Sequence, residues 1–358
     1  MADGWDKLIA VASQHVCQWS RTPTEGEWGI HHLDTPPHNR LIGPVFERGD
    51  ACGIVEVDGE VKCQWGDVTR ADMTFSVTKS YLAMVAGVAF DKGLIRSLDD
   101  RVIDTLIQHN VTTEGFNDNH NKGITWRHFL QFTCEWSGTC FGIPDQVDHY
   151  RTVSMQPGAS GKQKGQHRSL SAPGTYWEYN DVRINQFSLV LMRLFRQSVP
   201  AVFAEAIMQP LGASSDWQWY GYDNSWVEID NGDRLQSVPG GGHWGGGMVI
   251  SASDQVLIAK LMLNKGQWQG RQLLSTEWID QLLTPCDIAP WYGGFFWLNS
   301  EHAVSKAAST ESYFAMGIGG QLVWHDPVNR VLAVLRWIDA EQTEVFIEAI
   351  LAANHSPA

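Results

Sequence analysis

Phe75-Ser76-Val77-Thr78-Lys79-Ser80 opens an apolar run that continues to Phe90. Val77, Tyr81, Met84, Val85 and Val88 recur at spacings of three and four, which predicts a helix, and Gly93 supplies its stop. Residues three apart share a helix face, so Ser76 in the first turn presents its hydroxyl beside the amine of Lys79. A hydroxyl nucleophile with a proton acceptor one turn away is what acyl transfer through serine requires. A helix start also aims free N–H groups and a positive dipole end at an oxyanion on the attacked carbonyl. The same two residues at this gap also occur by chance on ordinary core helices. Of the ten lysines, however, only Lys79 has a serine three positions before it.

Upstream, Gly53-Ile-Val-Glu-Val57 and Glu60-Val-Lys-Cys-Gln-Trp65 flank Asp58-Gly59, a tight-turn signal between β-rich runs. At the far end, Ala315 to Gln321, Leu322 to Trp324 and Arg330 to Trp337 also read as strands, with a turn at Asp326-Pro327 and a terminal helix over Glu344 to Ala353. A further helix is expected over Trp5 to Trp19, another over Ile124 to Phe132, and a second apolar run spans Ile184 to Phe195. Strands at both ends with helices between them predict an α/β fold: one sheet built from the termini (1–100 and 236–358) with a mostly helical insertion (101–235).

The chain of 358 residues is 18% charged and 43% hydrophobic, as a soluble protein with a large core would be. A formal charge of −14 argues against nucleic acid and anionic membrane surfaces as partners. Met1 to Lys7 carries no positive region followed by an apolar stretch, and no apolar run reaches membrane-spanning length, so a cytoplasmic location is expected. The six cysteines form no Cys-x-x-Cys pair and are expected as reduced, buried thiols.

Several weaker patterns compete with plain loops and core packing. His31, His32 and His38 lack partners at ligand spacing, so no metal is expected there. Gly158-Ala-Ser-Gly-Lys162 lacks the glycine spacing of a phosphate loop. Gly138-Thr-Cys140-Phe-Gly142 imitates a nucleophile elbow, but a helical stretch precedes it and a turn follows, so a loop is expected. Gly240-Gly-Gly-His243-Trp244-Gly-Gly-Gly247 lets backbone pass close to a ligand or another strand. Trp136, Trp177 and Trp244 could wall a pocket or simply fill the core.

Together these segments resemble the serine β-lactamase-related family, which includes class C β-lactamases, D-alanyl-D-alanine peptidases, lactamase-fold carboxylesterases and 6-aminohexanoate-dimer hydrolases. Ser76-x-x-Lys79 after a hairpin, Ser97 to Val102, Ile124 to Leu130, Pro173-Gly-x-x-x-x-Tyr179, Gly245 to Asp254 and Gly319-Gly-Gln…Asp326-Pro carry the resemblance over residues 45–340. It implies a β-lactamase/transpeptidase-like fold. It further implies Ser76 as acylated nucleophile, Lys79 as its proton partner and Tyr179 sharing the acid/base work. A phenolate stabilised by a nearby ammonium is a plausible base. The implied oxyanion hole combines the N–H groups of Ser76 and Ile318. Asp181, Trp136, His243, Trp244 and Gly317 are the candidate substrate-binding residues, and no cofactor is implied.

Two departures bear on substrate. Asp181 stands where the family's Tyr-x-Asn motif has asparagine, and Ala315-Met316-Gly317 stands where a third motif has a cation followed by glycine. Both changes disfavour carboxylate substrates such as penicillins and favour neutral esters or amides, or substrates bearing an ammonium group. Asp181 would also favour a charged Lys79 and move the base role toward Tyr179. The resulting expectation is an esterase-like serine hydrolase acting on a small ester or amide. The alternatives are an amidase for amine-bearing substrates and a non-catalytic binding protein. The absence of Gly-x-Ser-x-Gly argues against an α/β-hydrolase.

Overall fold

The computed structural model describes residues 4–23, 28, 34–153, 161–230 and 232–355. His31, His32 and most of the Gly158–Lys162 stretch lie outside them. Asp58 and Gly59 both adopt positive φ (57° and 81°), the backbone a two-residue hairpin turn demands. They join β1 (Cys52–Val57) to β2 (Glu60–Trp65). Four more strands come from the C-terminal region: β3 (Trp297–Leu298), β4 (Tyr313–Gly317), β5 (Gln321–Asp326) and β6 (Val331–Arg336). They form one antiparallel sheet in the order β3-β4-β5-β6-β1-β2. Cys52 faces Arg336 and Val57 faces Val331 across the β1–β6 pairing, so the first hairpin is stitched to the last strand. Every residue of β1, β5 and β6 is buried, which identifies a sheet covered on both faces.

Among the described residues, five helices of eleven residues or more pack around this sheet and the nucleophile. The first, α1 (Gly4–Gln14), is shorter than the sequence suggests, because Val16 leaves the helix to bridge Ile338. It packs on the terminal helix α5 (Thr343–Asn354). Helix α2 (Val77–Asp91) is buried from Val77 to Ala89 on every side, as a helix apolar all round must be. Its neighbours are β4, β5, α3 (Asp181–Phe195) and the short helices Val199–Phe203 and Thr276–Leu282. Helix α4 (Ala252–Leu263), capped by the Ser251 hydroxyl accepting from Asp254 N–H, packs on β1 and β6. The expected helix over Ile124 to Phe132 reduces to one turn, Trp126–Leu130, because Phe132 takes a left-handed φ of 56°. The fold is the expected mixed α/β arrangement, with an antiparallel sheet from both chain ends flanked by helices. Among the described residues no single helix is long and apolar enough to cross a membrane.

Candidate active site

Ser76 occupies the N-cap of α2, yet its side chain makes no capping bond. Its oxygen instead accepts a hydrogen bond of 3.0 Å from the Lys79 ammonium. The residue before it, Phe75, has φ of 47°, a conformation that costs a bulky side chain about 1–3 kcal/mol. Edge contacts with Trp19, Trp28 and Trp337, at centroid distances of 6.0, 6.0 and 5.9 Å, hold Phe75 there. The bend turns the serine out at the helix tip. Ser76 is partly exposed while Lys79 is only 1% exposed.

The second half of the cluster arrives on α3. Asn180 caps that helix, its side-chain oxygen accepting from the N–H groups of Val182 and Arg183 and its amide donating to Asp145 O. The cap fixes the residues on either side of it. Asp181 places Oδ1 2.6 Å from Lys79 Nζ and Oδ2 2.5 Å from Arg151 Nη1. Tyr179 stacks between Phe132 and Trp297, at centroid distances of 4.5 and 5.9 Å, with its ring centroid 4.8 Å from Lys79 Nζ. Burial alone would depress the Lys79 ammonium, but Asp181, together with Tyr179, outweighs it and the lysine is held above its ordinary value. Burial likewise opposes the Asp181 charge, and Arg151 and Lys79 together carry it well below the carboxylate range. Lys79 is therefore a charged donor to Ser76 near neutral pH.

Glycines form the surroundings of this cluster. A Cβ on Gly241 would stand 2.5 Å from Lys79 Nζ and 3.4 Å from Ser76 Oγ, so the glycine-rich segment lies directly against the Ser–Lys pair. A Cβ on Gly317, at the end of β4, would stand 2.5 Å from Thr74 O and 3.2 Å from Ser76 N. That close approach puts the β4 edge beside the start of α2. Among the described residues neither the Ser76 N–H nor the Ile318 N–H donates to a protein acceptor. Ala315 is buried in the core side of β4, so the strand brings no cation to the cluster.

The profile of the Beta-lactamase family matches residues 57–337. The chain belongs to this family. No curated protein matches it. Among solved structures, a beta-lactamase from Mycobacterium bovis is 18% identical with a TM-score of 0.57, over 86% of this chain and 95% of that one. A family VIII carboxylesterase is 18% identical with a TM-score of 0.57, over 87% and 93%. EstCE1, described as a hydrolase with promiscuous acyltransferase activity, is 16% identical with a TM-score of 0.56, over 90% and 97%. Family membership makes the fold that of a serine hydrolase, and the low identities leave substrate to the residues themselves.

The remaining candidates fall into two groups. His243 lies at the back of the cluster, with Nε2 2.6 Å from Asp34 Oδ2 and Nδ1 4.0 Å from Asp181 Oδ2. Trp177 packs 6.5 Å from the Tyr179 ring. Trp244 is buried and its indole N–H donates to Asp34 and to His38 O, clasping the N-terminal loop to the glycine-rich segment. Trp136 sits elsewhere: its indole donates to Gly115 O, in the wall of a separate cleft of about 670 Å³ with Glu114 and Arg193. Cys140 is buried in a small hairpin of Thr139–Cys140 and Ile143–Pro144, and burial pushes its thiol far up. Asp34, Asp148 and His243 bring ligand-type atoms within 4.8 Å of one another. The Lys164 ammonium already fills that space, bonded to Asp34 and 2.8 Å from Asp148 Oδ1. Arg151, Asp148, Lys164 and Asp34 are members of the site that no sequence motif marks.

Proposed function

We propose that the chain is a serine hydrolase that cleaves a small neutral ester or amide through an acyl-Ser76 intermediate, esterase-like and not a true β-lactamase. The observation that carries the reading is Ser76 Oγ held 3.0 Å from a buried ammonium at a helix start, with the Tyr179 ring over the same ammonium. Ser76 Oγ attacks the carbonyl carbon, and the carbonyl oxygen gathers charge against the free N–H groups of Ser76 and Ile318. Lys79, already an ammonium, orients Ser76 and is not the group that accepts its proton. Tyr179, acting as the phenolate beside that ammonium, takes the serine proton and then, as the phenol, delivers it to the departing alcohol or amine. Water then attacks the acyl-serine, returning one proton through the same groups and releasing the acid.

Two features support a neutral substrate. No cation stands at Ala315 to receive a carboxylate. Both oxygens of Asp181 are committed, one to Lys79 and one to Arg151, and the residue is 3% exposed, so it offers no partner to a substrate ammonium. The amine-directed amidase is accordingly the weaker reading. The test is hydrolysis of p-nitrophenyl acetate and butyrate by the wild type and Ser76→Ala, with intact mass after a fluorophosphonate probe. Turnover and a single adduct, both lost in the variant, are expected. A wild type inert to ester and probe would refute acyl transfer and leave a binding scaffold.

A further inference from the structure

The nucleophile stands at the end of a chain of buried charges that alternate in sign. Starting from the N-terminal loop the order is Asp34, Lys164, Asp148, Arg151, Asp181, Lys79, then Ser76 Oγ. Each of these six charged side chains is at most 12% exposed. A buried charge deprived of its partner is strongly destabilising, and the alternation gives every interior member a partner on each side. The links around Arg151 close into a ring. Arg151 Nη1 lies 2.5 Å from Asp181 Oδ2 and 3.2 Å from Asp148 Oδ2, and that same Asp148 oxygen accepts from the Asp181 backbone N–H at 2.6 Å.

We propose that Arg151 is a positioning residue of the site: by holding Asp181 Oδ2 it fixes the other carboxylate oxygen on Lys79, and through Lys79 it sets the orientation of Ser76. The proposal rests on the acyl-Ser76 reading. A carboxylate turns about a broad terminal torsion unless both oxygens are engaged. Lys79 engages one of them, so the second anchor decides where the ammonium sits. Helix α3 does not need Arg151 for its own start, which Asn180 caps. Arg151 touches neither Ser76 nor the free N–H groups beside it; its guanidinium also faces the Tyr179 ring at 5.3 Å. The part of its effect that passes through Asp181 is the part that vanishes when Asp181 loses its charge. Because the charge is placed and not consumed, a lysine at 151 preserves part of the function and an apolar side chain does not.

The experiment is a double-mutant cycle between Arg151→Met and Asp181→Asn, with Arg151→Lys as the conservative variant. Fluorophosphonate labelling rate, kcat and KM for p-nitrophenyl butyrate, and thermal stability are measured for each. R151M is expected to lower kcat and labelling rate about tenfold or more with KM nearly unchanged, and R151K to recover most of the loss. In the D181N background the same R151M change is expected to cost less than about threefold, because the path it acts through is gone. An equal loss in both backgrounds, a loss confined to KM, or no loss at all overturns the proposal. If R151M alone fails to fold, R151K against wild type and R151M/D181N against D181N decide between the same outcomes. A wild type that neither hydrolyses ester nor takes the probe refutes the acyl-Ser76 reading, and this proposal with it.

Discussion

Asp181→Asn isolates the interaction that keeps Lys79 charged. The substitution preserves shape and removes a carboxylate 2.6 Å from the ammonium. At an effective dielectric near 20, a unit pair at that distance is worth about 6 kcal/mol. The opposing cost of burying an ammonium is several kcal/mol. With Asp181 present attraction wins and the lysine is raised; without it, burial, the largest influence, and the like charge of Arg151 both lower it, opposed only by Tyr179. In the wild type a raised lysine contributes stability fully below its unfolded value of about 10.4 and loses it only as pH rises through the folded value. No Lys79 slope is then expected between about pH 6.5 and about 9.5. In D181N the folded lysine binds fewer protons than the unfolded chain across that window, so stability must rise with pH, by up to about 1.4 kcal/mol per unit. Urea unfolding of both proteins at several pH values reads the difference. Parallel stability curves would refute the assignment of the Lys79 charge to Asp181.

Two glycine substitutions test contacts made by backbone. Gly241→Ala places a methyl 2.5 Å from Lys79 Nζ, which must move off Ser76; esterase kcat/KM is expected to fall about 100-fold or more while the melting temperature changes little. Gly87→Ala, inside α2, would ordinarily gain about 1 kcal/mol of helix propensity. Its Cβ would lie 2.4 Å from the Trp278 ring, so a net loss of about 1–3 kcal/mol in urea unfolding is expected instead.

The residues legible in the sequence were those whose relation is fixed by one element. Ser76 and Lys79 share a helical turn, and Tyr179 and Asp181 flank the cap of α3, so spacing sufficed to relate each pair. The hairpin at Asp58-Gly59 and the closing strands declared themselves through turn chemistry and apolar runs. Asp34, Asp148, Arg151 and Lys164 left no such trace, because irregular segments bring them together without periodicity. Trp136 and Trp244 show the converse difficulty. An aromatic residue in a sequence has no direction, and here hydrogen bonds to Gly115, Asp34 and His38 turn both indoles into the body of the protein. The glycine-rich segment was legible as a close approach of backbone, but only the fold reveals that Gly241 lies against Lys79.

The pairing of Cys52 with Arg336 has a consequence for biogenesis. A strand that finds its partner 284 positions later (336 − 52) must wait for it. At ribosomal rates of about 5–20 residues per second, the interval is on the order of ten seconds or more. Throughout that time the β1 edge that will receive β6 is an open template for other chains. The nascent protein thus carries its serine helix long before the β4 edge that completes the surroundings of Ser76 has been made. The acyl-Ser76 chemistry proposed above should appear only after β4 to β6 have been made, and conditions that slow elongation should favour aggregation of the hairpin over premature activity.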